Sequence, residues 1–452
     1  TMKKKKIAIC HYRVGGTDGV SLEIEKRKQI LEKHNCEVKL IAGSRSKGAD
    51  YAIDELEWDQ GVIPIIKENG FVYFNRKDLE DDELKRKMNK ISEKILSKLD
   101  EIQRIEKFDA VLIHNIFSFG SHLAAAKPFA KWVEKHKLPC IATHHDFYWE
   151  RNEFDIVRNE YVRNYMKKFM PPKSKYIEHI TINSLARREL KKRFNIDSYI
   201  LPDIFNFNQK PWKKDSFNKD LLKELKIKST DIIVLQATRV LPRKGVELAM
   251  DFTKTLQKKI DELKSKKLYN GKKINADPNV ILLIAGYTED MDHEYLLKIK
   301  AKAFDDKIHI KFISNVIKAN RAYRQRIKIY SLWDIYVHAD IVTFPSIWEG
   351  WGNQFIEAIF AKKPIVVFEY PVFKEDIKRE GYNIISLGDE LETLENGLHK
   401  APQENIQKAV QKSIRWLIDK NLNKKLEENF AIGKKYHGYK ILEDFLVKKL
   451  GL

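Results

Sequence analysis

Apolar residues arrive along this chain in short runs rich in valine and isoleucine, separated by longer stretches where apolar and charged positions recur at helical spacing. Such runs suit strands buried on both faces, as in a parallel sheet covered by helices. In the first half the pattern predicts strands at 6–12, 37–42, 110–114, 140–144, 177–182 and 198–201. Between the first two, Val20, Ile24, Ile30 and Leu31 share one helical face. A long charged stretch, 78–106, turns Met88, Ile91, Ile95, Leu96 and Leu99 inward, and 147–172 reads as another helix closed by Pro171-Pro172. After an Asn-, Pro- and aromatic-rich loop at 203–217, a second series predicts strands at 232–237, 280–285, 309–313, 341–344, 365–368 and 383–387. A helix is expected at 246–263, and three basic helical stretches fill 401–452. No short-period repeat appears, which sets a solenoid aside. The expectation is an α/β chain of two doubly wound domains facing a central cleft, residues 1–205 and 206–429, with ligands near the carboxyl ends of the strands.

Composition narrows the class. A chain of 452 residues that is 43% hydrophobic can bury two large cores. With 84 Lys and Arg against 64 Asp and Glu, the net charge is +20. The lysines are spread from end to end among nearly as many acids, which suits a solvated surface, an anionic substrate or an anionic membrane surface. Arg163–Lys175, where Tyr165, Met166 and Phe169 interleave with cations, is compatible with weak peripheral membrane association. A basic nucleic-acid-binding protein is the rival class, but no helix-turn-helix, RRM or zinc pattern accompanies the charge, so no nucleic-acid partner is expected. No apolar run approaches the ~18–20 residues of a membrane span. Three cysteines without a CxxC pattern, and a start lacking a sustained apolar signal region, point to a reduced, cytoplasmic protein.

Four segments carry chemistry. In 344–358 a buried strand runs through Glu349, Gly350, Trp351, Gly352, Asn353 and Gln354 into a helix bearing Glu357. The glycines allow close backbone approach, the helix start suits a phosphate, and the two carboxylates suit sugar hydroxyls. The plainer reading makes Glu349 a cap and Glu357 a solvated helical residue. In 236–245, Arg239 and Lys244 lie five residues apart, pinned by Pro242 and Gly245, where they can converge on one diphosphate or form an ordinary basic loop. Gly15, Gly16, Thr17, Asp18 and Gly19 follow the first strand and can present N–H groups to an anion, though any such turn carries glycines. Thr143, His144, His145 and Asp146 end a strand, where a histidine can bond a substrate hydroxyl; His114 ends the preceding strand and reads more readily as structural.

Together these segments resemble retaining GT-B glycosyltransferases of the family 4 type. The Glu349-to-Glu357 spacing looks like that family's E-x7-E motif, and Arg239–Gly245 looks like its diphosphate clamp, with Thr238 where glycine is common. Gly15-Gly16 is similar to its first-strand glycine loop, and His145 stands at its active-site histidine. Residues 284–286 and 312–316 resemble two further strand ends at the nucleotide pocket. The resemblance implies two Rossmann-like domains, with the acceptor mainly on the first and the nucleotide sugar mainly on the second, and a C-terminal helix of about 430–452 packing back on the first.

The resemblance also implies roles: Glu357 to ribose, Glu349 to the donor sugar, Arg239 and Lys244 to the diphosphate, and Val316 to the base through its backbone. Gly15, Gly16, Gly352, Asn353 and Gln354 would complete the donor site. His145 would lie beside the transferred sugar, with Arg13, His114 and Asp146 toward the acceptor. The implied reaction moves a hexose from a GDP- or UDP-sugar to a hydroxyl of a small sugar or glycoside, with an α-linkage and no metal or other cofactor. Trp348, Trp351, the stretch 369–373 in place of a small turn, and 12–16 are similar to enzymes that extend small glycosides such as glucosylglycerate with mannose. Against a metal-free reading, Asp290-Met291-Asp292 spells a DxD, the metal–diphosphate signature of the other large glycosyltransferase fold. Donor base, acceptor, linkage and oligomeric state are not legible in these residues.

Overall fold

A computed structural model describes residues 4–16 and 18–452. Thr17 of the glycine loop lies outside them. The chain divides into two compact units: residues 1–204 with 440–452, and residues 205–439.

Unit 1 is built on seven parallel strands, β1 (Lys6–Cys10), β2 (Glu37–Ala42), β3 (Tyr51–Ala52), β4 (Ala110–His114), β5 (Cys140–His144), β6 (Ile177–Thr181) and β7 (Ser198–Ile200), in the order β3-β2-β1-β4-β5-β6-β7. The order reverses between β1 and β4, the switch point where loops on either side diverge and leave room for a ligand. β4 and β5 are buried at every residue, which explains their unbroken apolar runs. The helix Asp81–Glu106 buries Met88, Ile91, Ile95 and Leu99, with Leu96 only partly covered. One expectation is corrected. Residues 147–172 are not one helix: two 3-10 turns precede a helix at Glu160–Phe169, whose N-cap Asn159 accepts from the Val162 N–H. Phe147 stacks on Trp149 at 4.1 Å and Phe154 is buried in the core, so the aromatics bend the chain inward before the cap.

Unit 2 carries β8 (Ile232–Gln236), β9 (Val280–Ile284) and β10 (Ile310–Phe312), a small sheet of β11 (Ile317–Lys318), β12 (Ala322–Arg324) and β13 (Ile327–Ser331), then β14 (Ile341–Phe344), β15 (Ile365–Val367) and β16 (Ile385–Ser386). Its main sheet is parallel, ordered β10-β9-β8-β14-β15-β16, with the reversal between β8 and β14. β16 is shorter than its apolar run because Asn383 bonds the side chain of Asn429 instead of a neighbouring strand. The helix Leu422–His437 belongs to this unit: Gly433 packs on Phe207 and Ile359, and His437 bonds Glu380 at 2.7 Å. The expected last helix from about 430 is therefore corrected. It starts at Tyr439, after Gly438 breaks the chain direction beside Phe205, and ends at Leu450. Its Leu442, Leu446 and Leu450 are buried in unit 1.

No helix among the described residues is long and apolar enough to cross a membrane. The three cysteines are free and buried.

Candidate functional site

The carboxyl ends of β8 and β14 meet in unit 2, and the loops that leave them are locked together. Buried Gln236, the last residue of β8, donates from Nε2 to the Thr238 hydroxyl at 2.9 Å and to the Lys244 carbonyl at 3.1 Å. The Ile347 N–H donates to the Arg243 carbonyl at 2.8 Å, joining this loop to the one after β14. Two segments about a hundred residues apart thus become one rigid surface.

On it, Glu349 takes two cations. Lys244 bonds one carboxylate oxygen and Arg243 the other, the latter at 2.8 Å. Lys244 and Glu349 are 5% and 8% exposed, so their attraction acts in a poorly hydrated setting. Burial lowers the Lys244 pKa, opposed by Glu349 and helped by repulsion from Arg243 and Arg239. Arg239 therefore shares the neighbourhood, but its guanidinium pairs with Glu289. Three cations face two carboxylates here, which leaves net positive charge for an anion. Arg243 is absent from the sequence-derived set although it lies inside the clamp motif. Local spacing could not say which cation would reach a carboxylate 106 positions away.

Gly352 caps the helix Asn353–Phe360 with φ 150°, and a Cβ there would stand 2.5 Å from the Tyr370 hydroxyl. That hydroxyl donates to the Trp351 carbonyl, so Tyr370 props the turn from beneath. Asn353, exposed, and Gln354, half-buried, occupy the first helical turn. Glu357 is one turn further, half-buried, accepting from the buried Tyr336 hydroxyl at 2.9 Å. Tyr336 carried no sequence signal, since it reads as core, and Tyr370 stood out only as part of the unusual 369–373 stretch. The Val316 N–H donates to the Ile313 carbonyl and its carbonyl accepts from the Tyr330 N–H at 2.8 Å, which leaves the carbonyl's second lone pair for a base. Asp290 and Asp292 lie in a 3-10 turn at the head of the helix His293–Asp305. Among the described residues, no group of three or more His, Cys, Asp or Glu could hold a metal ion.

In unit 1, histidines gather at the ends of β1, β4 and β5. His114 Nδ1 lies 3.0 Å from His145 Nε2, and the rings stack. His114 Nε2 is buried without a partner. One of the two facing nitrogens, His114 Nδ1 or His145 Nε2, carries the proton that joins the rings. His11 bonds the His114 carbonyl at 2.9 Å, and burial lowers its pKa to about 4. Asn115, with φ 59°, accepts from the His145 N–H at 2.7 Å and fixes the turn toward half-buried Asp146. His144, by contrast, points away to His179 at 2.9 Å, which in turn bonds the Pro172 carbonyl. Burial lowers His114, His144 and His145 well below the usual histidine range.

Arg13 lies over the Trp58 ring at 3.8 Å and pairs with Asp59 at 3.0 Å. Gly15 has φ 73°, and a Cβ there would come within 1.8 Å of the Lys47 carbonyl, so this glycine lets a neighbouring loop pass. Gly16 faces the Asp18 carboxylate, a Cβ there lying 2.8 Å from it.

Comparison with known proteins adds kinship to this geometry. The sequence profile described as "Glycosyl transferases group 1" matches residues 217–431. A mannosylglucosylglycerate synthase of Petrotoga mobilis is 39% identical over 415 residues, covering 92% of this chain and 94% of that protein. One from Thermotoga maritima is 36% identical over 447 residues, covering 98% and 99%. Among solved structures, a glycosyltransferase from Rickettsia africae aligns with a TM-score of 0.61 at 13% identity, covering 99% of this chain and 98% of that one. Anabaena HepE, solved in complex with UDP and glucose, aligns at 0.54 and 14%, covering 99% of each chain. These structural likenesses speak to the fold, GT-B with Rossmann-like domains.

Proposed function

The chain belongs to the group 1 glycosyltransferases, with the mannosylglucosylglycerate synthases among its relatives, and from that premise we propose that it transfers mannose from GDP-mannose to a hydroxyl of glucosylglycerate with retention of the α configuration. The observation that carries this reading is the cluster of buried Lys244 and Glu349 with half-exposed Arg243 beside the helix start at Gly352. The relatives' name, with mannose outermost, supports mannose as the sugar transferred; a UDP-glucose type of donor is the alternative.

Unit 2 holds the donor. Arg239, Arg243, Lys244 and the N–H groups after Gly352 take the diphosphate, Glu357 takes the ribose, and Glu349 takes the sugar hydroxyls. When the anomeric C–O bond breaks, its electron pair passes to the diphosphate, and these fixed charges stabilise it without reorganisation. The acceptor oxygen forms the new bond on the same face, and its proton goes to the departing phosphate oxygen. No divalent ion is required, because the clamp supplies the positive charge a metal would bring. On unit 1, Arg13, His145 and Asp146 serve the acceptor. The free cysteines suit a cytoplasmic setting, where nucleotide sugars serve as donors.

The test is a matrix of GDP-mannose, UDP-glucose and related donors against glucosylglycerate and other small glycosides. Mass spectrometry reads addition of one hexose, and proton NMR reads the anomeric configuration. A β-linked product overturns retention; transfer confined to UDP-glucose overturns the donor.

A further inference from the structure

A cavity of roughly 470 Å³ opens in unit 2 at the opposite edge of the main sheet. Ser229, Asp340 and Lys363 line it just before β8, β14 and β15, whereas Lys244 and Glu349 follow the carboxyl ends of β8 and β14. Its charge is lopsided. Lys213, Lys214, Lys272 and Lys363 line it with one carboxylate, Asp340. Asp340 is buried and already served by the Ile233 N–H at 2.8 Å, Asn270 Nδ2 at 2.9 Å and Lys272 at 2.6 Å. Lys272 pairs with Asp340, which also attracts Lys363. Burial pushes the Lys363 ammonium down to about 8, with Asp340 opposing and Lys214 and Lys272 adding to the push. A group so placed gains from an anion between the lysines.

Four lysines against one carboxylate suit a doubly charged group, and the volume lies within the range of small-molecule sites, ~300–1,000 Å³. Trp212 and Ser229 also line it, beside Asn270, whose amide donates to Asp340 and accepts from the Lys272 N–H. We propose that this cavity binds a small phosphomonoester, a phosphorylated sugar or polyol, with Lys214 and Lys363 on its phosphate. Tyr336 joins the cavity wall to Glu357. Its ring lies 5.3 Å from that of Trp212, and its hydroxyl holds Glu357 at 2.9 Å. Occupancy shifts this tyrosine and so changes nucleotide affinity, a coupling that rests on Glu357 being the ribose ligand.

Calorimetric titration with glucose 6-phosphate and with inorganic phosphate tests the site in wild type, Arg239→Ala, Lys214→Ala and Lys363→Met. Binding that persists in Arg239→Ala but weakens tenfold or more in Lys214→Ala and Lys363→Met is the expected result. Lys214 is exposed, so its variant remains informative if Lys363→Met folds poorly. Binding lost in Arg239→Ala and kept in the lysine variants would place it at the clamp and overturn the proposal. Equal heats in all four, or none with either probe, overturn it as well. For the coupling, glucose 6-phosphate should change nucleoside diphosphate affinity severalfold in wild type and not in Tyr336→Phe. If Glu357→Gln leaves that affinity unchanged, the coupling fails while the site stands on its own titration.

Discussion

Glu349 holds a buried lysine and a half-exposed arginine in place, and this makes it a structural residue before any sugar arrives. Glu349→Gln leaves Lys244 with a weaker partner inside the protein. Removing one member of a buried pair typically costs ~3–5 kcal/mol. The variant should therefore melt earlier than wild type, and a nucleoside diphosphate should restore more stability to it than to wild type; equal shifts by scanning fluorimetry would contradict this. Lys244→Ala should lower turnover ~100-fold or more, as buried electrostatic stabilisers are worth ~2.7–4 kcal/mol, and steady-state kinetics with the fold checked by circular dichroism reads the loss.

The histidines make a separate prediction at this scale. His11 and His179 are lowered to about 4 by burial, below the ~6.5 of an unfolded chain. Between those values the unfolded state binds more protons, so stability falls as pH drops from about 6.5 toward 4 and is unaffected by these groups above it. Urea midpoints should decline through that window, and replacing His179 with Gln should flatten part of the decline.

Among elements, the turns do the positioning. Gly352→Ala would place a methyl 2.5 Å from the Tyr370 hydroxyl at φ 150°, a conformation L side chains rarely adopt, so the start of the helix Asn353–Phe360 must shift. Nucleotide binding should weaken by an order of magnitude or more, against a stability loss of ~1–3 kcal/mol. Calorimetry paired with thermal melts separates the two, and intact affinity would remove the helix start from the donor site. The 3-10 turn Asp290–Asp292 stands instead where acids suit the positive end of the following helix. Asp290→Asn with Asp292→Asn should be nearly silent, and activity should survive chelation after the enzyme is stripped of metal. Loss on chelation with recovery in Mg²⁺ or Mn²⁺ would restore the metal-dependent alternative.

For the whole molecule, the last helix is a strap on unit 1. Leu442, Leu446 and Leu450 are buried, Lys449 pairs with Glu178 at 2.8 Å, and Glu443 meets His34 at 2.7 Å. Burial of each leucine is worth ~1.5–3 kcal/mol. Ending the chain at Gly438 should destabilise unit 1 by several kcal/mol while unit 2 keeps its nucleoside diphosphate binding. Differential scanning calorimetry with and without nucleotide distinguishes the two transitions.

Hydrophobic period and motif order were enough to identify an α/β chain with two parallel sheets, because burial of both strand faces writes itself locally as β-branched runs such as Ile232–Leu235 and Val280–Ile284. The same order of short motifs was enough for the family. Tertiary structure alone decided the partners. Which cation reaches Glu349, that Arg239 turns to Glu289, that the Val316 backbone is already engaged, and that the chain changes unit after Tyr439 all depend on loops whose paths are set by distant packing. The lysine-lined cavity belongs to that second kind: its residues fall in six separate stretches, and only parallel strands starting at one edge bring Ser229, Asp340 and Lys363 together.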